Sequence, residues 1–275
     1  MGNIKILDCT LRDGGYKFDW EIPSEYVLNI SSSLINSGID FIEAGYITDH
    51  HLDKKKTTLF NFTDQAEALF KSHKKLSSKI LLMFNQGEFS PETLKKSKKS
   101  KIISGFRIAF HKKDFKKAIK SALIIKECGY LVFFQPMILS SYSQDQFYNL
   151  IHEVYKNIEP DGFYIVDSFG AIITDKLLDY FRILVQNTDN KIILGYHAHN
   201  NFQLAFANSI AVIKEIKGRK LMIDSSLMVI GRGAGNLPTE LITEYLNNKF
   251  NSHYNLLSIY FSIKNSILPL FEKKK

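Results

Sequence analysis

Residues 191–201 have the sequence Lys-Ile-Ile-Leu-Gly-Tyr-His-Ala-His-Asn-Asn, an apolar run that ends in two histidines separated by one residue. The run predicts a buried β-strand, and residues two apart in a strand project to the same side. His197 and His199 therefore point together from the carboxyl end of this strand. Neutral imidazoles that converge on one point are typical ligands of a divalent metal ion. The stretch thus predicts a strand with a metal site at its end.

Seven other short apolar runs recur at roughly regular spacing, at residues 4–8, 41–44, 80–84, 105–109, 131–135, 162–167 and 221–225. Amphipathic helical patterns accompany the eight runs, at residues 25–37, 64–75, 91–100, 115–128, 144–158, 175–186, 203–217 and 239–250. This alternation predicts a (β/α)8 TIM barrel of parallel strands. A doubly wound open sheet is the alternative, but the stretch Arg12-Asp13-Gly14-Gly15 lacks its glycine fingerprint. A further helix is predicted at residues 256–268.

Composition narrows the class of protein further. The chain has 275 residues, of which 45 % are hydrophobic, a size that suits one large domain. No apolar run approaches the ~18 residues of a membrane span, and the amino terminus lacks a signal-peptide layout. The only cysteines are Cys9 and Cys128, which favours a cytoplasmic protein without disulfides. The net charge of +8 favours anionic substrates, but the lysine clusters lie on separate elements, so nucleic-acid binding is not expected.

Polar or glycine-rich residues follow five of the predicted strands: Arg12-Asp13, Glu43, Asp167-Ser168, His197-Ala198-His199 and residues 231–236. The active site of a TIM barrel lies at the carboxyl ends of its strands. The first, seventh and eighth strands become neighbours when the barrel closes. We therefore expect Asp13 to approach His197 and His199 despite their separation along the chain.

These residues resemble the DRE-TIM metallolyase (HMGL-like) superfamily, which includes 4-hydroxy-2-oxovalerate aldolase, HMG-CoA lyase, and the isopropylmalate and homocitrate synthases. The resemblance covers about residues 4–247 and rests on three motifs: Leu11-Arg12-Asp13-Gly14, His197-Ala198-His199-Asn200-Asn201 and Gly233-Ala234-Gly235-Asn236. It implies a pyruvate-carboxyltransferase/HMGL-like catalytic barrel over residues 1–250. Residues 251–275 would then form a C-terminal helix and a basic tail.

The resemblance implies that Asp13, His197 and His199 bind a divalent metal, with Asn236 as a candidate fourth ligand. A mixed nitrogen and oxygen site favours Mn²⁺ or Mg²⁺, and it is also compatible with Zn²⁺ or Co²⁺. The implied activity is that of a metal-dependent aldolase or lyase. Such an enzyme cleaves or forms a carbon–carbon bond next to a 2-oxo acid such as pyruvate, through a metal-bound enolate.

Catalytic and binding roles follow from the same resemblance. Arg12 matches the arginine that places a second positive charge beside the enolate, and Glu43 matches an acid near the metal. The oxovalerate aldolases have a histidine three residues after the metal aspartate, where this chain has Tyr16, which we expect to position substrate or relay a proton. Candidate substrate-binding residues are Asp167, Ser168, Arg232, Gly233 and Gly235.

Two alternative functions remain open from the sequence. One is a Claisen-type condensation with an acyl-CoA, and the other is a catalytically silent barrel that binds an anionic ligand. The partners expected for the aldolase are a small oxo acid and an aldehyde, with no membrane, and the protein is expected to form a homo-oligomer. No acylating dehydrogenase partner is expected, because residues 251–275 do not match the additional C-terminal domain of the channelling aldolases.

Overall fold

The computed structural model describes residues 4–52, 56–72, 76, 79–96 and 98–273. Nine parallel strands form one sheet: β1 (Ile4–Asp8), β2 (Phe41–Ile47), β3 (Leu59–Phe60), β4 (Ile80–Asn85), β5 (Ile103–Phe110), β6 (Leu131–Pro136), β7 (Gly162–Asp167), β8 (Ile193–Ala198) and β9 (Lys220–Ser225). The sheet closes because β1 pairs with both β9 and β2, while the two-residue β3 is added beside β2. The predicted TIM barrel is confirmed, with all eight predicted strands in place.

The one-turn helix α1 (Thr10–Asp13) follows β1 at the carboxyl end of the barrel. Longer helices cover the outside: α2 (Ser24–Asn36), α3 (Thr63–Phe70), α4 (Phe115–Glu127), α5 (Gln144–Asn157), α6 (Thr174–Gln186), α7 (Ala205–Glu215) and α8 (Thr239–Phe250). The helix predicted at residues 91–100 is instead a short 3₁₀ helix, Pro91–Lys96. Only Pro91 and Leu94 of that helix are buried, so the lysine-rich stretch has no apolar stripe to hold a longer helix. Residues 73–75 of the helix predicted at residues 64–75 lie outside the described residues.

The carboxyl-terminal segment packs on the barrel as helical structure. It consists of α9 (Leu256–Ser262), a π-helical turn (Ile263–Ile267) and α10 (Leu268–Lys273). Helix α9 lies against α2 and α8, and the Asn255 side chain caps it by accepting a hydrogen bond from the Ser258 amide at 3.2 Å. The last two lysines of the predicted tail lie outside the described residues. None of the helices in the described part of the chain is long and apolar enough to cross a membrane.

The barrel interior changes from apolar to charged along the strands. Its apolar cluster contains Leu7, Phe41, Leu81, Phe133, Tyr164, Val166 and Met222. Glu43 and Asp224 each follow an inward-facing apolar residue by two positions, so they point inward nearer the carboxyl ends of the strands. Arg107 of β5 joins them, and all three are buried. Charged groups at this end of the interior favour an active site at the carboxyl-terminal mouth of the barrel.

Candidate metal centre

Three potential ligands meet at the mouth of the barrel. Asp13 ends the one-turn helix α1 directly after β1, His197 lies in β8, and His199 follows that strand. Strand β9 pairs with both β8 and β1, which brings the three side chains together. Their ligand atoms lie within 4.8 Å of one another, and all three residues are buried. Asp13 Oδ2 is 3.8 Å from His197 Nε2 and 3.7 Å from His199 Nε2.

Asn236, the candidate fourth ligand, lies beside these residues. It forms an isolated β-bridge with His199, and its Nδ2 lies 3.5 Å from His197 Nε2. A Cβ atom placed on Gly231 would lie 2.0 Å from Asn236 Oδ1 and 3.1 Å from Asp13 Oδ2, so both oxygens face this glycine. Neither oxygen has a hydrogen-bond partner among the described residues, although both are buried. Buried polar atoms without partners are costly, and a bound cation would satisfy these two.

Asp224 orients the first histidine. Its Oδ2 lies 2.8 Å from His197 Nδ1, which leaves His197 Nε2 directed toward Asp13. A carboxylate on the far ring nitrogen is the usual partner of a metal-binding histidine. Asp224 also forms an ion pair with Arg107, whose guanidinium lies over the Tyr164 ring at 4.6 Å. Sequence reasoning missed Asp224 and Arg107, although each is a single charged residue in an apolar strand at an inward position.

Arg12 lies beside the cluster and is fixed by two carboxylates. Its Nε donates to Glu43 Oε2 at 2.6 Å, and its Nη1 donates to Asp13 Oδ1 at 3.0 Å. The other oxygen of Glu43 is 2.9 Å from Arg107 Nη1, so Glu43 bridges two buried arginines. Arg12 Nη2 is buried and has no hydrogen-bond partner in the described part of the chain. Arg12 therefore has a donor available for a ligand next to Asp13.

The electrostatics of the site keep Asp13 ionised and His199 neutral, which are the forms that bind a metal. Burial alone would raise the pKa of Asp13, but Arg12, followed by His197 and His199, lowers it to about 2. Burial, together with the neighbouring His197, lowers the pKa of His199 to about 4. Burial opposes the charge of Arg12, but Asp13 and Glu43 hold its pKa well above the usual value. At neutral pH the site has an ionised aspartate, a neutral His199 and a charged arginine.

Tyr16 and Arg232 lie at the rim beside Asp13. The Arg232 guanidinium stacks over the Tyr16 ring at 4.8 Å, and its Nε is 3.7 Å from Asp13 Oδ1. Both side chains are exposed, by 36 % for Tyr16 and 51 % for the Arg232 side chain, so ligands can reach them. Partial burial raises the pKa of Tyr16, although Arg12 and Arg232 act against this shift. A raised pKa keeps the phenol protonated at neutral pH, so little phenolate is present to act as a base.

The other predicted substrate-binding residues are placed in the neighbouring loops. Both Asp167 oxygens accept backbone amides of its own loop at 3.0 Å, and Ser168 Oγ accepts the Ile138 amide at 3.1 Å. These side-chain atoms therefore hold loops together, while the Asp167 carbonyl accepts the His199 amide at 3.3 Å. Gly235 has a φ of +77°, and a Cβ there would lie 1.6 Å from the Val229 carbonyl oxygen, so only glycine fits. Gly233, with a φ of +59°, lies beside Asn201 in the same loop.

Comparison with known proteins shows that this chain is similar to aldolases and lyases. The HMGL-like family model matches residues 3–265. A 4-hydroxy-2-oxovalerate aldolase from Geobacillus thermodenitrificans is 27 % identical over 248 residues, which cover 89 % of this chain and 70 % of that protein. The corresponding aldolase from Pelotomaculum thermopropionicum is 28 % identical over 253 residues, covering 88 % of this chain and 70 % of that protein.

Solved structures agree with the fold. The N-terminal domain of a candidate aldolase from Bacteroides vulgatus superposes with a TM-score of 0.81 and 29 % identity, covering 98 % of this chain and 87 % of that chain. HMG-CoA lyase from Brucella melitensis has a TM-score of 0.73 at 13 % identity, covering 95 % of this chain and 96 % of that chain. At that identity the second comparison shows the fold alone.

Proposed function

The chain belongs to the HMGL-like family and is a carbon–carbon lyase, and we propose that it is a divalent-metal-dependent aldolase acting next to a 2-oxo acid. The proposed reaction is the cleavage or formation of a 4-hydroxy-2-oxo acid, with pyruvate as the 2-oxo product or donor. The observation that carries this proposal is the buried set of four donors beside Arg12, whose Nη2 has no partner among the described residues.

The donor set fits a divalent cation. We propose that Asp13, His197, His199 and Asn236 hold it, with Mn²⁺ or Mg²⁺ preferred and Zn²⁺ or Co²⁺ compatible. Two observations support the fit, namely the unpartnered oxygens of Asp13 and Asn236 and the His197 ring fixed by Asp224. When bound, such a cation acts as a Lewis acid that polarises the keto group of the substrate.

Arg12 stabilises the charge that develops as the bond breaks. In the cleavage direction the C3–C4 bond breaks and its electron pair forms the pyruvate enolate. The C4 hydroxyl passes its proton to water as C4 becomes the aldehyde carbon, and the enolate carbon then takes a proton from water to give pyruvate. Arg12 Nη1 donates to Asp13, and Nη2 of the same guanidinium has no hydrogen-bond partner among the described residues, so we assign Nη2 to the enolate oxygen. Glu43 acts through Arg12, because Arg12 and Arg107 already occupy its two oxygens.

The remaining site residues contribute binding and proton movement. Tyr16 is our candidate for positioning the substrate or for relaying the hydroxyl proton through water, since its raised pKa opposes direct action as a base. We propose that Arg232 attracts a distal anionic group and that the backbone around Gly233 and Gly235 approaches the substrate. Asp167 and Ser168 stay candidate binding residues. The division at residue 250, the cytoplasmic location, the homo-oligomer and the lack of a dehydrogenase partner stay predictions.

Exchange of the methyl protons of pyruvate tests the proposed function. This half-reaction needs no second substrate, so proton NMR in D₂O with Mn²⁺ measures enolate formation directly. We expect metal-dependent exchange in the wild type and slower exchange in Tyr16→Phe, with unchanged Mn²⁺ affinity. Lack of metal-dependent exchange in the wild type would overturn pyruvate as the donor. Undiminished exchange in Tyr16→Phe would remove the proton-transfer role of Tyr16 alone.

A further inference from the structure

The mouth of the barrel has a second side, which lies across from the two histidines of the metal cluster. In the closed order of the eight strands, β4 lies directly across from β8. On that side Tyr46, Met83 and Ala109 form a buried cluster, with Trp20 and Met137 packed against it. A register shift between Glu43 and Gly45 lets Tyr46 point inward, as Glu43 does. Tyr46 therefore lies one layer nearer the solvent than the carboxylate that holds Arg12.

Glu88 is a charged group that contacts this cluster through Tyr46. Its Oε2 accepts the Tyr46 hydroxyl at 2.6 Å, and its Oε1 accepts Asn85 Nδ2 at 3.0 Å. The Tyr46 hydroxyl in turn accepts the Asn85 amide at 2.7 Å. The backbone of Glu88 is fixed too, because its carbonyl accepts the Thr48 hydroxyl at 3.0 Å and the Asp49 amide at 2.7 Å. The carboxylate is therefore held in one position at the rim.

The Glu88 carboxylate can accept more hydrogen bonds than the structure shows it accepting. A carboxylate accepts up to about four hydrogen bonds, and the two described here come from neutral donors. Glu88 is half-buried and takes part in no ion pair among residues the structure describes. A carboxylate that is fixed in position and only half-buried can accept further hydrogen bonds from a ligand. An alkyl group placed against it would remove water and give no hydrogen bond in return.

We propose that Glu88 binds a hydroxyl group of the second substrate, so that the aldehyde partner is a hydroxylated aldehyde rather than a plain alkyl aldehyde. This inference rests on the proposed aldolase function. A neutral hydroxyl fits better than an ammonium group, because Arg12, Arg232 and the bound cation would repel a positive charge at the mouth. Tyr46 is a positioning residue in this scheme, since it acts by holding Glu88. The apolar side chains of the cluster accommodate the carbon skeleton.

Three aldehydes with the same three-carbon skeleton test the inference: propanal, lactaldehyde and glyceraldehyde, which carry no, one and two hydroxyl groups. Each is added to pyruvate with Mn²⁺, and kcat/KM is measured from product formation. We expect the wild type to prefer a hydroxylated aldehyde over propanal by about tenfold or more, the usual effect of a hydrogen bond to a charged group. Glu88→Leu should reduce that preference to about twofold or less, and Glu88→Gln should reduce it partly.

Two further variants separate recognition of the substrate hydroxyl from general effects on the structure of the protein. Tyr46→Phe removes the 2.6 Å hydrogen bond that holds Glu88, so the KM for the hydroxylated aldehyde should rise by a larger factor than the KM for propanal. Glu153→Gln is the matched control, because Glu153 is also half-buried but lies on α5, outside the barrel. It should keep the wild-type preference. Mn²⁺ affinity of each variant reports whether the metal end of the site is intact.

The outcomes distinguish this inference from the proposed function. Pyruvate exchange without a preference for hydroxylated aldehydes in the wild type would overturn the role of Glu88 and leave the aldolase proposal standing. A preference that survives in both Glu88→Gln and Glu88→Leu would overturn it as well. Absence of pyruvate exchange would overturn pyruvate as the donor, and with it the reaction on which this inference rests. If Glu88→Leu fails to fold, the comparison of Glu88→Gln with Glu153→Gln still decides whether Glu88 binds the hydroxyl group.

Discussion

Replacement of Arg12 by lysine tests the arginine's role most sharply. Lysine keeps the charge but has a single nitrogen, which cannot reproduce the bonds to Glu43 at 2.6 Å and to Asp13 at 3.0 Å together with a third donor for a ligand. Loss of one charge-assisted hydrogen bond costs about 1.5–3 kcal/mol of stability. We expect the low end of this range, because Arg107 remains 2.9 Å from Glu43 and keeps that carboxylate paired.

The effect on the reaction should be larger than the effect on the fold. Arg12 Nη2 is the donor that we assign to the enolate oxygen, and removal of one such donor typically lowers the rate by about 10²–10³. Initial rates of Mn²⁺-dependent pyruvate exchange, together with urea unfolding, measure both effects in Arg12→Lys. Arg219→Lys is the matched control, because Arg219 is also buried and hydrogen-bonded, but to Val185, Thr188 and Asp189. It should lose stability and keep the exchange rate.

Two results would refute this reasoning. Near-wild-type exchange in Arg12→Lys would reduce Arg12 to a structural ion pair. An equal loss of exchange in Arg12→Lys and Arg219→Lys would mean that the rate follows general destabilisation, so the free donor of Arg12 would have no special role.

Three further predictions follow from the geometry. Gly231→Ala should weaken Mn²⁺ binding in calorimetry while the protein stays folded, because the new Cβ would lie 2.0 Å from Asn236 Oδ1 and displace it; unchanged affinity would remove Asn236 from the ligand set. Asp224→Asn should weaken Mn²⁺ binding by roughly 10–100-fold, the usual effect of losing the carboxylate behind a histidine ligand; a wild-type dissociation constant would argue against that role. Burial raises the pKa of Asp8 to about 6, against about 3.8 when unfolded, so the native state keeps a proton that the unfolded state releases between these values. The contribution of Asp8 to stability should therefore fall as pH rises from about 4 to 6, and urea unfolding of Asp8→Asn should lack that part of the pH dependence; identical profiles would contradict it.

The sequence predicts the barrel well because its signals are local and repeated. Each apolar run is long enough to mark a strand, and their alternation with helical patterns specifies the closed parallel topology. The exception is the region 91–100, where helix-forming lysines suggest a full helix but only two residues of the 3₁₀ helix there are buried. The two-residue strand β3 is too short to leave a periodic pattern.

The site is predicted only in part, for a physical reason. Asp13, His197 and His199 stand at strand ends in recognisable motifs, so closure of the barrel is enough to bring them together. Arg107 and Asp224 lie within apolar strands, and their roles depend on partners across the barrel that no linear pattern reveals. The same holds for Glu88, which reaches the mouth only because β2 and β4 are adjacent.

Calorimetric titration with Mn²⁺ tests the central claim, that Asp13, His197 and His199 form a metal centre. The wild type should bind one Mn²⁺ per chain at this site. His199→Ala should stay folded and weaken binding by more than the roughly 10–100-fold that loss of an outer partner causes. His152→Ala, which changes an exposed histidine on α5, should bind as the wild type does. Unchanged Mn²⁺ affinity in His199→Ala would contradict the metal centre and the mechanism built on it.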